Sequence, residues 1–83
     1  MSLDRIRLAR KRTIGTNQTT KALQQGQAEV VYAAKDAEKR VTDPIVALAN
    51  QRGIDVIWVD TMKQLGKACG IEVGAAAAAV VRE

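Results

Sequence analysis

The sequence predicts an α/β sandwich, with helices on both faces of a small sheet. Short apolar stretches typical of strands alternate with stretches whose apolar residues recur at helical spacing. The 83 residues suffice for one domain, residues 1–83, and are too few for two. Hydrophobic residues make up 47% of the chain, and there is no Phe. The expected core is therefore thin and built mainly from Ala and Val.

A first short helix is expected at the N-terminus, where Ser2 can act as its cap and Asp4 suits the positive end of the helix dipole. Arg10 and Lys11 are expected near its negative end. A brief extended segment follows at residues 13–14. The inner face of the helix would consist of Leu3, Ile6 and Ala9.

A second helix follows a tight turn that Gly15 allows, and either Thr16 or Asn17 can cap it. It is expected to run to Gln25. Gly26 would end it, because glycine readily adopts the left-handed conformation found after a helix.

The apolar segment Val30–Ala34 predicts a buried strand, followed by a polar turn at residues 35–40. Asp43 and Pro44 predict the start of a third helix, because Asp is a good cap and Pro favours the first helical position. Gly53 predicts its end. Its inner stripe would consist of Ile45, Leu48 and Ala49.

The segment Ile54–Val59 predicts the next strand. Asp60 or Thr61 would cap a short helix through Leu65, which Gly66 would close.

The segment Ala75–Ala79 has two interpretations. Alanine is the best helix former, yet a helix that is apolar all round needs burial on every side. A central strand covered on both faces tolerates a continuous run of small apolar residues. The strand is the preferred interpretation.

Basic residues are concentrated in the first third of the chain. Residues 1–28 hold six basic residues and one acidic residue, whereas the rest hold seven basic and eight acidic ones. Clustered Lys and Arg raise the local potential more than scattered ones. This predicts a surface that faces a polyanion, with a solvated helix face as the alternative.

Common catalytic chemistry lacks its usual residues here. There is no His, so zinc enzymes and His-based triads are disfavoured, and Cys69 is expected to be a buried small apolar side chain. The pairs Asp36 with Glu38 and Asp55 with Asp60 are typical of turns and helix caps. We therefore expect no catalytic residue, no metal site and no cofactor.

A cytoplasmic location is expected, with no membrane partner. One cysteine cannot form an internal disulfide, and the N-terminus lacks the apolar core of a signal peptide. The longest apolar run, Ala75–Val81, is far shorter than the roughly 20 residues that span a membrane.

The start of the second helix concentrates neutral hydrogen-bonding side chains. Free backbone N–H groups at a helix N-terminus favour phosphate. Asn17, Gln18 and Lys21 lie on neighbouring positions of one face, and amide and lysine side chains can read base edges. A solvated surface helix with an ordinary cap is the alternative.

A second segment, Leu65–Gly74, has three glycines around the triplet Ile71–Val73. Glycine lets the backbone turn sharply or approach a ligand closely. The alternative is two helix stops and a strand entry. Because Tyr32 and Trp58 lie in predicted strands, core packing is expected for both, and recognition of RNA would rest on its shape and a few base edges.

Four segments in this order together resemble a known family. They are Gly-Thr-Asn-Gln-Thr-Thr-Lys-Ala-Leu, Gln-Gly, Val-Val-Tyr-Ala-Ala-Lys-Asp-Ala and Leu-Gly-Lys-Ala-Cys-Gly-Ile-Glu-Val-Gly-Ala-Ala. Over about residues 14–81 the chain resembles the kink-turn-binding ribosomal proteins, the L7Ae/L30e superfamily, in their short bacterial form. The resemblance implies a three-layer α/β/α sandwich with a four-stranded mixed sheet. It also implies a kink-turn RNA, in which a bulge and tandem sheared G·A pairs bend the backbone.

The resemblance further implies roles for the start of the second helix. Asn17, Gln18 and Lys21 would meet the guanines of the G·A pairs in a widened major groove. Gly15 and Thr16 would bring the helix start to the RNA backbone. Archaeal and eukaryotic members usually carry Glu in place of Gln18, and Gln can donate as well as accept hydrogen bonds.

In the second segment, the resemblance implies a loop that holds an extruded bulge nucleotide. The loop would consist of Ile71, Glu72, Val73 and Gly74, with Glu38 near the same base.

The expected function is non-catalytic binding, by a monomer, of a kink-turn in ribosomal RNA, a riboswitch or a small ribonucleoprotein RNA. The alternative is a protein-interaction module with the same fold and little RNA affinity, and an enzyme is more remote. RNA binding and protein interaction differ in salt dependence, because the affinity that phosphate contacts provide falls steeply as the salt concentration rises.

Overall fold

The computed structural model describes residues 3–83, so Ser2, the expected cap of the first helix, lies outside the described residues. Helices and strands alternate along the chain. Within the described residues, none of the helices has the length and apolarity needed to cross a membrane. The elements are α1 (Asp4–Leu8), β1 (Arg12–Ile14), α2 (Thr16–Gln24), β2 (Ala28–Ala34), α3 (Lys39–Gln51), β3 (Val56–Val59), α4 (Met62–Ala68) and β4 (Ala77–Val81).

The four strands form one mixed sheet in the order β1-β4-β2-β3. β2 and β3 are parallel, and β4 is antiparallel to both of its neighbours. All five residues of β4 are buried. The expected strand at the end of the chain is confirmed, although it begins at Ala77 and not at Ala75.

Helices cover both faces of the sheet, which confirms the expected three-layer sandwich. Successive side chains of a strand point to opposite faces. Ala78 and Val80 therefore pack with residues of α1 and α4, whereas Ala77 and Ala79 pack with residues of α2 and α3. The small side chains of β4 allow both helix layers to pack closely on this inner strand.

The two aromatic residues differ in burial. Tyr32 is fully buried in the central strand β2, as expected. Trp58 lies in β3, which has a neighbouring strand on one side only, and it is 37% exposed. The expectation of core packing is therefore wrong for Trp58.

α1 is shorter than the sequence predicts. It ends at Leu8, and Ala9 is extended, so Arg10 and Lys11 lie beyond the helix and not in its last turn. The predicted inner face is confirmed, with Ile6 buried and its two companions packed against the same core.

The predicted start of α3 is wrong by five residues. The helix begins at Lys39, with Pro44 in its interior, because the N–H groups of Val41 and Thr42 both donate to the Glu38 carbonyl, at 2.9 and 3.2 Å. A proline here costs one intrahelical hydrogen bond. The predicted inner stripe and the stop at Gly53, whose φ is +67°, are confirmed.

Of the two candidate caps for α4, Thr61 is confirmed, because its Oγ1 accepts a hydrogen bond from the Gln64 N–H at 3.0 Å. The predicted stop at Gly66 is wrong. The helix continues through Gly66 to Ala68, and Gly70, with φ at +80°, follows its end.

Candidate nucleic-acid interface

The candidate residues lie at one end of the sheet. Ile14 pairs with Ala78, and Ala33 pairs with Ala77, so β1 and β2 end where β4 begins. Because β3 is parallel to β2, it ends there too. We call this the carboxyl end of the sheet. It carries three segments: the start of α2, the turn at residues 35–38 and the loop at residues 71–76.

Backbone hydrogen bonds join these segments. The Gly15 N–H donates to the Ala77 carbonyl at 2.8 Å, which links the start of α2 to the first residue of β4, directly after the loop. The Ala34 N–H donates to the Ala76 carbonyl at 2.9 Å, which links the turn to the same loop. The start of α2 and the turn, which both precede the loop by more than 30 residues in the sequence, therefore lie beside its end in the structure.

The start of α2 has no side-chain cap. The expectation that Thr16 or Asn17 caps the helix is wrong, because Gly15 occupies the cap position. Its φ of +94° is accessible to glycine but strained for other residues. Asn17 and Gln18 are both exposed, and their amides are not used in holding the helix start.

α2 is anchored from its inner side. Thr19 is buried, and its hydroxyl lies 2.9 Å from the hydroxyl of Thr13 in β1. The buried Leu23 continues the same inner face one turn later. Lys21 is exposed and lies one turn beyond Asn17, so the predicted common outer face of these residues is present.

The loop at residues 71–74 lies directly against α4. A Cβ on Gly66 would run into the carbonyl of Val73, and one on Gly74 would lie 3.0 Å from the Cβ of Met62. The Ile71 N–H also donates to the Gly66 carbonyl at 3.0 Å. Two of the three glycines of this segment thus permit close packing, and neither is a helix stop.

The two aliphatic side chains of the loop are placed differently. Val73 is 70% exposed at the carboxyl end of the sheet, next to the exposed Glu72. Ile71 is half-buried and packs against the core shared with α1 and α4. The expectation that both are offered to a ligand from the loop therefore fits Val73 and only partly fits Ile71.

The turn after β2 holds two carboxylates with different surroundings. Asp36 accepts a hydrogen bond from the Met62 N–H at 2.7 Å, so it ties the turn to the start of α4. Glu38 is exposed and forms an ion pair with Arg40 at 3.1 Å. Asp36 thus has the capping role that the sequence suggested, while Glu38 lies in the same turn near the carboxyl end.

The basic residues of the first third differ in their partners. The Arg12 guanidinium donates to the carbonyls of Ile6 and Cys69, at 3.2 and 2.9 Å. Lys11 and Lys21 have no ion pair among the described residues. The polyanion-facing surface stays a prediction, and Lys11 and Lys21 are the members of the cluster whose ammonium groups are available to it. The other three basic residues of the first third form ion pairs: Arg5 with Glu29 at 3.5 Å, Arg7 with Asp4 at 2.7 Å and Arg10 with Glu83 at 3.5 Å.

Cys69 is buried, as the sequence predicts. Burial raises the pKa of its thiol, and the nearby Arg12 guanidinium offsets part of this effect. A raised pKa keeps the sulfur protonated and unreactive near neutral pH. Within residues 3–83, no three or more Cys, Asp or Glu side chains are grouped so that they could hold a metal ion.

Comparisons with known proteins identify relatives of this chain. Residues 2–83 match the model of the Ribosomal protein L7Ae/L30e/S12e/Gadd45 family. An "RNA-binding protein" of Bacillus pumilus is 48% identical over 81 residues, which are 98% of this chain and 99% of that protein. The "Large ribosomal subunit protein eL8" of Halobacterium salinarum is 47% identical over 68 residues, 81% of this chain and 57% of that protein.

Solved structures share the fold. The Giardia lamblia 15.5kD RNA binding protein superposes with a TM-score of 0.87, over 98% of this chain and 71% of that chain. Its sequence identity is 22%, so this similarity concerns the fold alone.

Proposed function

Because the chain belongs to the ribosomal protein L7Ae/L30e/S12e/Gadd45 family, we propose that it binds RNA without catalysis and recognises kink-turns. Relatives such as that of Bacillus pumilus are named RNA-binding proteins, which supports the first part. The second part rests on the carboxyl end of the sheet. A cytoplasmic location and a monomeric state remain predictions.

The observation that carries the proposal is the meeting of a polar helix start and an apolar loop at one end of the sheet. The Gly15 N–H donates to the carbonyl of Ala77, the residue that directly follows the loop, so the helix start lies beside the end of the loop. A straight duplex offers base edges and phosphates but no extruded base. A kink-turn offers base edges and phosphates as well as an extruded base. A surface with a polar part and an apolar part therefore suits a kink-turn better than a straight duplex.

In the proposed complex, the start of α2 meets the tandem G·A pairs. The side chains of Asn17 and Gln18 hydrogen-bond to base edges in the major groove of the RNA, and the Lys21 ammonium contacts the same RNA groove. Both amides are exposed. The free N–H groups at the helix start, next to Gly15 and Thr16, lie against a phosphate.

The loop contributes the other half of the proposed site. An extruded base rests against the exposed side chain of Val73, and Glu72 offers hydrogen-bond acceptors to its edge. Gly74 lets the loop lie close to α4, and Glu38 approaches from the turn after β2. Ile71 supports the loop from the core and adds its exposed part to the contact.

None of these roles requires a reacting group. The chain contains no His, and its thiol is buried and held in the protonated form. Hydrogen bonding, apolar contact and charge suffice for the proposed recognition.

A gel-shift experiment with three RNAs tests the proposal. The first is a kink-turn, the second has its tandem G·A pairs replaced by Watson–Crick pairs, and the third is a straight duplex of the same length. We expect the first RNA to bind about tenfold or more tightly than the others, because the loss of specific base contacts costs at least about 1 kcal/mol each. Equal affinity for all three would refute kink-turn recognition and leave general charge attraction.

A further inference from the structure

A surface groove of about 360 Å³ runs beside α2 and β1. Gln18 and Lys21 of α2 line one part of it, and both belong to the proposed kink-turn site. Lys11, Gln25 and Gln27 line the part that lies away from the carboxyl end. The groove is thus continuous with the proposed site but reaches well beyond it.

The charge of the groove is of one sign. Its lining includes no acidic residue. Lys11 and Lys21 have no ion pair in the part of the chain that the structure describes. The guanidinium of Arg12 is used elsewhere, since it donates to backbone carbonyls of α1 and of the residue after α4. Two ammonium groups are therefore available to an anion in the groove.

The dimensions suit a nucleic-acid strand. The seven helical steps from Gln18 to Gln25 cover about 10 Å at 1.5 Å per residue. Double-stranded DNA carries one phosphate per about 3.4 Å of axis on each strand, and at a comparable spacing about three phosphates of an RNA stem fit this length. Lysine and glutamine side chains can donate to phosphate oxygens without reading a base.

We propose that this groove holds the phosphate backbone of the duplex stem that adjoins the kink, so that the RNA footprint extends to Lys11. The inference rests on the proposed function and adds a stem contact to it. Lys11 neutralises a phosphate of one strand of the stem, beyond the part of the RNA that Lys21 contacts. Gln25 and Gln27 donate hydrogen bonds to the same backbone.

Arg10 provides a matched control. It precedes Lys11 in the chain and carries the same charge, but it is in an ion pair with Glu83 at 3.5 Å. Arg10 does not line the groove. It lies at a neighbouring depression, which Lys11 also lines and whose lining includes Glu29 as well as Glu83. A general loss of positive charge would affect both positions, whereas a stem contact in the groove requires Lys11 alone.

The experiment measures affinity for two kink-turn RNAs that differ only in the length of the stem beyond the G·A pairs. One stem covers the groove, and the other is shortened to end at the proposed kink-turn site. Wild type, Lys11→Gln and Arg10→Gln are compared over a series of salt concentrations, and the melting of both RNAs is measured to ensure that each remains folded.

We expect wild type to bind the long-stem RNA about fivefold more tightly, the upper range for one exposed charge contact. Lys11→Gln should lose most of this preference for the long-stem RNA, while its affinity for the short one stays at the wild-type value. Its log–log salt slope on the long RNA should be smaller by about 0.7–0.9, the value for one phosphate contact. Arg10→Gln should behave as wild type does.

Two outcomes would overturn the inference, and they are distinguishable. In the first, wild type binds the kink-turn, but its affinity does not depend on stem length or does not change in Lys11→Gln. An equal loss of affinity for both RNAs in Lys11→Gln has the same meaning: the groove holds no stem, and the proposed function stands. If wild type does not prefer a kink-turn over a straight duplex, the proposed function fails and the stem contact fails with it.

Discussion

The two halves of the proposed site are built in opposite ways. The start of α2 presents polar side chains, Asn17 and Gln18, from a helix that the buried Thr19 anchors from its other side. The loop at residues 71–74 presents the apolar Val73, and its position depends on close packing against Gly66. Binding and stability should therefore be separable at the helix and coupled in the loop.

The largest effect is expected for Gly66→Ala, which tests the coupling in the loop. Gly66 is buried within α4, and an added Cβ would run into the Val73 carbonyl. Overpacking of this kind lowers the free energy of unfolding by about 1–3 kcal/mol. Because the loop must move, RNA affinity should fall as well, even where the protein is still folded.

Urea denaturation and RNA titration on the same sample measure both effects of Gly66→Ala. Lys67→Ala is the control, since Lys67 is the next residue of the same helix and is exposed. Its stability should stay within about 0.5 kcal/mol of wild type. A Gly66→Ala protein as stable as wild type would show that the loop does not depend on this contact.

The next effect tests the helix half. Asn17→Ala should weaken binding to kink-turn RNA by about 1–3 kcal/mol, because a base-edge partner is lost, while the melting temperature stays unchanged. Asn50→Ala removes the same exposed side chain near the end of α3 and should change neither quantity. If discrimination between kinked and straight RNA survives Asn17→Ala, the helix does not read the G·A pairs.

A smaller effect is expected for Val73→Ala. Two methyl groups are lost from a side chain that is 70% exposed, so RNA affinity should fall by about 1 kcal/mol and stability should be unchanged. Leu8→Ala is the control, because Leu8 is 74% exposed at the end of α1. A drop in melting temperature without a change in affinity would remove Val73 from the interface.

Ile71→Asp should behave differently from Val73→Ala, although both positions are in the same loop. Ile71 packs against the core, so a charge there should lower the melting temperature before any effect on RNA can be measured. Thermal unfolding of the two variants compares them directly. An unchanged melting temperature for Ile71→Asp would place the whole loop outside the core.

The smallest effect is expected from pH. The chain has no His, so RNA affinity should be nearly constant from about pH 6 to pH 8. Burial raises the pKa of the Cys69 thiol above its ordinary 9.0 and that of Tyr32 above 10.0. In the folded protein both groups therefore hold their protons to higher pH than in the unfolded chain.

Because folding raises both pKa values, the contribution of Cys69 and Tyr32 to the free energy of unfolding is complete below about pH 9. It is lost as the pH rises through their pKa values in the folded protein. Thermal unfolding from pH 6 to pH 11 measures it. Stability that rises above pH 9 would contradict the assigned burial, and a steep change in RNA affinity between pH 6 and pH 8 would indicate a titrating group at the interface that we have not identified.

Most of the fold could be predicted because strands and helices have different apolar periods. The central position of β4 followed from its small apolar residues, which suit burial on both faces. Helix ends were harder, since they depend on contacts beyond the local sequence. Pro44 lies inside α3 because the Glu38 carbonyl starts the helix earlier, and Gly66 continues α4 because the loop packs on it.

The site was predictable in part. The polar start of α2 is visible as a sequence pattern, and the motifs that resemble a known family indicated the loop. The split between Ile71 and Val73 was not visible, because it depends on which side of the loop meets the core. Nor could the sequence show that the Arg12 guanidinium donates to the Cys69 carbonyl, on the face of the sheet that α1 and α4 cover, whereas Lys11 lines the groove beside α2.

An NMR titration of the ¹⁵N-labelled protein with kink-turn RNA tests the central claim, that the helix start and the loop bind one RNA together. We expect the amide signals of residues 15–18 and of residues 71–74 to shift with the same midpoint and one-to-one stoichiometry, while those of residues 50–53 at the opposite end of the sheet stay in place. Shifts confined to one of the two segments, or two different midpoints, would contradict a single composite site.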